Sequence, residues 1–274
     1  MDPGAACLGP DSGAHRAPLI LVLAAPSCRP TLRIMQLKVY ETGSGPRTAI
    51  LIHGFSDDHK TWWRVAPALV ERGFRVLAPD LRGHGLSPHA DDYSLTSFAA
   101  DLRDSLPSGA DVILGHSLGA LALSVAASDL APKKLIYVDP PWFAELGPDM
   151  RLPVDPRAVT REQIAALAPR WIPADIAVDL ASSRNLDPKV LEWVPNRLAL
   201  DLAVFSPVSA EIPTSVIAPL EEDSFLGADH AAQLQALGIE VHRVPDAGHV
   251  IHRDNFDGFM SAIDSCVLSA AASA

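Results

Sequence analysis

The chain has 274 residues, of which 48% are hydrophobic and 20% charged, with 33 acidic against 22 basic side chains for a net charge of −11. That apolar content is unlike a disordered chain, and the acidic surplus repels phosphate backbones, which argues against a nucleic-acid partner. No apolar run reaches the ~20 residues that span a bilayer, so a membrane partner is not expected. The cysteines, Cys7, Cys28 and Cys266, are odd in number and scattered, which fits a reducing cytosol rather than a disulfide framework. Cys and His show no zinc-type spacing, so neither a metal nor another cofactor is expected.

Residues 1–34 are rich in Gly, Pro and Ala. Within them Pro18–Pro26 (PLILVLAAP) has the length of a signal-peptide core, but the proline in Ala24–Cys28 (AAPSC) breaks the small-residue cleavage pattern. We read the segment as a disordered extension, with a domain beginning at Met35. From there short β-branched runs alternate with amphipathic stretches. In chain order the strands fall at Thr48–Ile52, Arg75–Ala78, Asp111–Leu114, Leu135–Val138, Thr214–Ala218 and Ile239–Val244. Most are continuously apolar, as strands buried on both faces are. Helical spacing lies between and after them, at Thr61–Arg72, Ser94–Leu106, Leu118–Leu130, Asp229–Leu237 and Asn255–Leu268. Such repetition implies right-handed crossovers and a mostly parallel, doubly wound α/β sheet.

One interval breaks the rhythm. Residues 140–212 contain many prolines and no strand candidate. Thr160 and Gln163 have the spacing of a capping box for a helix running to Leu167, and further helices are expected after Pro173 and Pro188. We read this interval as a helical cap set on a core formed by residues 35–139 and 213–274. Its aromatic residues could line a pocket.

The strongest chemical signal is Gly115-His116-Ser117-Leu118-Gly119, between the strand Asp111–Leu114 and an Ala/Leu-rich helix. This is G-x-S-x-G in its strand–turn–helix setting. The turn is so sharp that residues two before and two after the serine nearly touch, and glycine removes the clash. Ser117 is thereby the expected nucleophile. A serine hydroxyl needs a neighbouring base. His249, in Ala247-Gly248-His249 on the loop after the last strand, lies at the same sheet edge and is the expected base, with His252 as competitor. A carboxylate should fix the imidazole. Following the strand Thr214–Ala218, the choice is Asp223, with Glu221 and Glu222 beside it. Asp139 is an alternative, although Val138-Asp139-Pro140 also reads as a strand-terminal turn. Oxyanion donors are expected from the Leu118 N–H at a helix start and the Phe55 N–H in His53-Gly54-Phe55-Ser56. His116, Trp142, Phe143 and Trp171 are the candidate substrate contacts.

These motifs, with Asp80-Leu81-Arg82-Gly83-His84-Gly85-Leu86-Ser87, resemble the α/β-hydrolase superfamily from about Met35 to the C-terminus. The resemblance implies Ser117 as nucleophile, His249 as base, Phe55 and Leu118 as oxyanion donors, and a structural role for the loop holding His84. Pro219-Leu220 departs from the glycine that usually precedes the family's acid. Serine at the nucleophile position argues against haloalkane or epoxide chemistry. The expectation is a hydrolase of small, largely apolar carboxylic esters, with a small-molecule substrate as its partner. Two other readings share the sequence: a cofactor-free lyase, C–C hydrolase or perhydrolase using the same site, and a non-catalytic ligand-binding protein on the same scaffold.

Overall fold

Among the described residues seven strands form one sheet: β1 (Val39–Thr42), β2 (Arg47–Ile52), β3 (Phe74–Pro79), β4 (Val112–His116), β5 (Leu135–Val138), β6 (Thr214–Pro219) and β7 (Glu240–Val244). The computed structural model describes residues 35–143, 155–193, 211–220 and 224–271, all within the unit Leu32–Ala274. The expected N-terminal extension, with Cys7 and Cys28, lies outside the described residues.

The strand order is β1-β3-β2-β4-β5-β6-β7, with β1 antiparallel to β3 and every other pair parallel. The strand β1 was absent from the sequence reading. It is a half-exposed edge strand, so it lacks the continuous apolar run that marks the buried ones. Those runs follow from packing on both faces. Ile50, Ile52 and Ile113 face one core cluster, whereas Ala49, Leu51, Val112 and Leu114 face the other. Helices α2 (Leu95–Ser105) and α3 (Leu118–Leu130) cover the first face. The second is covered by α1 (Val65–Glu71), which follows a short 3-10 helix at His59–Trp62, and by the C-terminal helix Phe256–Ala271.

The order of strands creates the functional edge. The chain leaves β2 toward β3 on one side, then crosses back to place β4 on the other. Adjacent β2 and β4 therefore send their following segments in opposite directions, opening a crevice at their carboxyl ends.

Between β5 and β6 the described residues are helical: α4 (Arg161–Leu167), α5 (Pro173–Ser183) and α6 (Pro188–Trp193). The Thr160/Gln163 capping box is formed and α4 ends at Leu167, as the spacing predicts. This helical insert is held to the core by Leu186, Val190 and Trp193, which join the first apolar cluster, and by polar contacts. The Trp63 indole donates to Asp175 at 2.9 Å, the Tyr93 hydroxyl to Asp187 at 2.5 Å, and the Asp187 amide to the Gly83 carbonyl at 2.8 Å. After it come α7 (Ala228–Ala236), the short α8 (Ile251–Asp254) and α9 (Phe256–Ala271). No helix of the described residues is long and apolar enough to cross a membrane.

Candidate active site

Non-glycine residues with positive φ are rare because Cβ collides with the backbone there. Among the described residues they are Ser56, Ser117, Ala131, Asp139 and Asp246. Ala131 ends helix α3. The other four follow β2, β4, β5 and β7, so the unfavourable backbone conformations gather at one sheet edge. Strain of this kind persists only where surrounding structure enforces it, and it concentrates at functional sites.

Ser117 has φ 50° and ψ −114°, between the end of β4 and the first turn of α3. The turn demands glycine on both sides. A Cβ on Gly115 would stand 2.7 Å from the Gly119 carbonyl oxygen, and one on Gly119 would stand 2.4 Å from the His53 carbonyl oxygen. Ser117 stays half-buried, while its neighbours in the motif are buried. The loop after β2 reaches the same place. A Cβ on Gly54 would lie 2.7 Å from His116 Nδ1 and 3.2 Å from Ser117 Cβ. Among the described residues the N–H groups of Phe55 and Leu118 have no acceptor. Leu118 is the first residue of a 13-residue helix, whose free N–H groups and dipole favour negative charge.

His249 Nδ1 lies 2.7 Å from Asp139 Oδ2, and the Asp139 side chain is fully buried. A carboxylate oxygen only accepts, so Nδ1 carries the hydrogen and Nε2 of the neutral ring keeps a free lone pair. That is the tautomer a general base requires. The other Asp139 oxygen accepts from the Ser224 hydroxyl at 2.7 Å, and the Phe225 ring stands edge-on to His249 at 4.8 Å. The segment after β6 was expected to supply the acid itself. Its described part bonds to Asp139, the residue after β5, through the Ser224 hydroxyl. Asp223, Glu221 and Glu222 lie outside the described residues. Asp139 was readable as a candidate, because an aspartate directly ends a buried strand. The signal was ambiguous because Asp-Pro is also a common turn.

The alpha/beta hydrolase family matches over residues 49–262. The chain belongs to that family. It is 31% identical to lipase LipV of Mycobacterium tuberculosis over 166 residues, 58% of this chain and 60% of that protein. It is 25% identical to mouse sn-1-specific diacylglycerol lipase ABHD11 over 246 residues, 79% of each. At 45% identity, a match to proteins of Mycobacterium tuberculosis spans 28% of their length. The fold is also that of an epoxide hydrolase from Bacillus megaterium, with TM-score 0.67 at 18% identity over 84% of this chain and 96% of that one.

In this alpha/beta hydrolase the remaining histidines of the region are structural. His53 donates from Nδ1 to the Gly54 carbonyl and accepts the Leu81 amide on Nε2, so both ring nitrogens are used. Burial pushes His84 down to about 3. His252, the competitor for the base, is buried with Nε2 2.8 Å from Thr61 Oγ1, and burial holds it well below the usual histidine value. His116 is a correction. Rather than facing substrate it is 2% exposed, donates from Nε2 to the His249 carbonyl at 3.0 Å, and burial holds it neutral.

The aromatic candidates have packing partners of their own. Trp142 is buried against Tyr137 and its indole donates to Ser124 at 3.0 Å. Phe143 stacks on His230 at 4.1 Å, and the Trp171 ring lies under the Arg253 guanidinium at 4.5 Å. Trp142 is buried, whereas Phe143 and Trp171 stay half-buried. Among the described residues one cluster, Asp58, His59 and Asp80, has donor atoms close enough for a metal ion. Its oxygens are already satisfied: Asp80 accepts from His59 and the Leu86 amide, and Asp58 from Lys60.

Proposed function

We propose that this alpha/beta hydrolase cleaves small, largely apolar carboxylic esters through an acyl-enzyme on Ser117. The observation that carries the reading is the 2.7 Å contact between His249 Nδ1 and the buried Asp139, beside a strained serine. Ser117 Oγ attacks the ester carbonyl carbon as His249 Nε2 takes its proton. The carbonyl electrons move to oxygen, where the Phe55 and Leu118 N–H groups receive the negative charge. The C–O bond to the alcohol breaks as His249 returns the proton to the leaving oxygen. Water then repeats the sequence: His249 removes a proton, hydroxide adds to the acyl carbon, and Ser117 Oγ leaves with that proton. The acid is released and the serine restored.

Asp139 holds the imidazole in the required tautomer and stabilises the imidazolium formed in both halves. The helical insert between β5 and β6 acts in this reading as the cap that selects the acyl and alcohol groups. The relatives' lipase names favour an ester over an amide. Short- and medium-chain aryl esters offered to wild type and Ser117→Ala test the mechanism. Wild type is expected to release the phenol in a burst stoichiometric with enzyme, with none from the variant. Equal turnover by both overturns it.

A further inference from the structure

One buried arginine joins three parts of the molecule that the proposed reaction needs in register. Arg253 sits in α8, four residues beyond His249, and is 3% exposed. Its backbone belongs to the base loop. The Arg253 amide donates to the Val250 carbonyl at 2.9 Å, and the next residue, Asp254, accepts the Gly248 amide at 2.9 Å. Its guanidinium reaches away from that loop in two directions. Nη2 donates to Asp57 at 2.5 Å and to Thr61 Oγ1 at 2.9 Å, both on the segment after β2 that carries the Phe55 amide. Nη1 donates to Asp179 of α5 at 2.8 Å, and the cation lies over the Trp171 ring, so its other partners are on the insert.

A second path returns from the same arginine to His249. The Thr61 oxygen that accepts from Arg253 has one hydrogen to give, and its other partner is His252 Nε2 at 2.8 Å. The His252 ring packs perpendicular to His116 at 5.3 Å, and His116 donates to the His249 carbonyl. The base loop is thus gripped from both sides by groups anchored on Arg253.

We propose that Arg253 is a positioning residue, a clasp through which the seating of the helical insert on the core sets the placement of His249. This rests on the serine-hydrolase reading above. The physical reason is charge. Asp57 and Asp179 face the same cation. Burial followed by the Asp57 charge pushes the Asp179 carboxyl up, even with Arg253 beside it. Removing the guanidinium would leave two poorly solvated carboxylates facing one another, which breaks a buried pair in its most costly way. The insert would then lift, and the base loop would lose its outer anchor. Lysine cannot replace the device, because a single ammonium lacks the planar fork that meets Asp57, Thr61 and Asp179 together.

The test compares wild type with Asp179→Asn, which weakens only the insert side, and Arg253→Lys, which keeps the charge. Two readouts are taken about 20 °C below each protein's Tm. One is the rate of Ser117 modification by a small alkyl phosphonate that needs no contact with the insert. The other is the low-field NMR proton of His249 Nδ1–H in its bond to Asp139. A misplacement of about 1 Å costs on the order of 100-fold in rate, so the clasp predicts slowing of roughly 10- to 100-fold for Arg253→Lys. Asp179→Asn is expected to slow modification about 3- to 10-fold on the same reasoning. In both variants the His249 proton should shift or broaden. If both are modified at the wild-type rate with an unmoved His249 proton, the clasp is refuted, whatever their loss of Tm. If wild-type Ser117 does not react at all, the hydrolase reading fails, and the His249 proton alone then judges the clasp. Should Arg253→Lys fail to fold, Asp179→Asn carries the test.

Discussion

Replacing Asp139 with asparagine separates the acid found beside His249 from the acid expected after β6. The change is nearly isosteric. The asparagine oxygen can still accept from His249 Nδ1, because the Ser224 hydroxyl can rotate to receive the new NH2 group. Ser224 Oγ already accepts the Leu226 amide at 3.0 Å and has a second lone pair for this bond. What is lost is the charge opposite the imidazolium. Two unit charges about 4 Å apart interact by about 4 kcal/mol at an effective dielectric constant near 20. The His249 side chain is 31% exposed and Asp139 is not exposed at all, so solvent screens part of this. A loss of about 3 kcal/mol corresponds to roughly 100-fold in kcat. If the amide instead turns its NH2 toward Nδ1, the wrong tautomer results and the loss approaches ~10⁴-fold. Steady-state hydrolysis of a short aryl ester by Asp139→Asn and Asp223→Asn is the assay, with folding checked by Tm. We expect a 10²- to 10⁴-fold fall in kcat for the first and less than about threefold for the second. Activity kept by Asp139→Asn but lost by Asp223→Asn would refute the assignment.

Gly54→Ala would place a methyl group 2.7 Å from His116 Nδ1 and 3.2 Å from Ser117 Cβ. Overpacking of this kind costs about 1–3 kcal/mol, so urea denaturation should show that loss together with slower acylation; an unchanged protein on both counts contradicts the packing described. His84 is held down to about 3 by burial, whereas an unfolded histidine titrates near 6.5. On acidification through 6.5 the unfolded chain takes up a proton that the folded one refuses, so stability falls as pH drops toward 3. Between pH 7.5 and 5 this amounts to about 2 kcal/mol, and His84→Gln should lessen the measured pH dependence by that amount. Thr160→Ala removes one half of the capping box on α4 and should lower stability by about 1 kcal/mol. The rate of Ser117 modification by the phosphonate should stay close to the wild-type value, since the Thr160 and Gln163 side chains bond within the first turn of α4 and leave the α5 contacts of Arg253 in place.

What the sequence determined by itself was local. The glycines at 115 and 119, the Thr160/Gln163 box and the apolar runs of the buried strands are fixed by contacts within a few residues. Helix α3 begins and ends where its spacing predicts, at Leu118 and Leu130. The half-exposed β1 carries no such local mark and went unread. The nucleophile turn was legible because its steric demand falls on its own neighbours. Tertiary structure alone decided the relations between loops. Asp139 and His249 are 110 positions apart and meet because β5, β6 and β7 lie side by side in parallel, bringing their carboxyl ends to one edge. Carboxylates follow both β5 and β6 in the sequence, so composition could not choose among them; the approach of one Asp139 oxygen to one ring nitrogen is a tertiary contact. The same holds for His116 and Trp171. The hydrogen-bond acceptor of the first and the cation over the second come from the base loop and α8, which no local pattern announces.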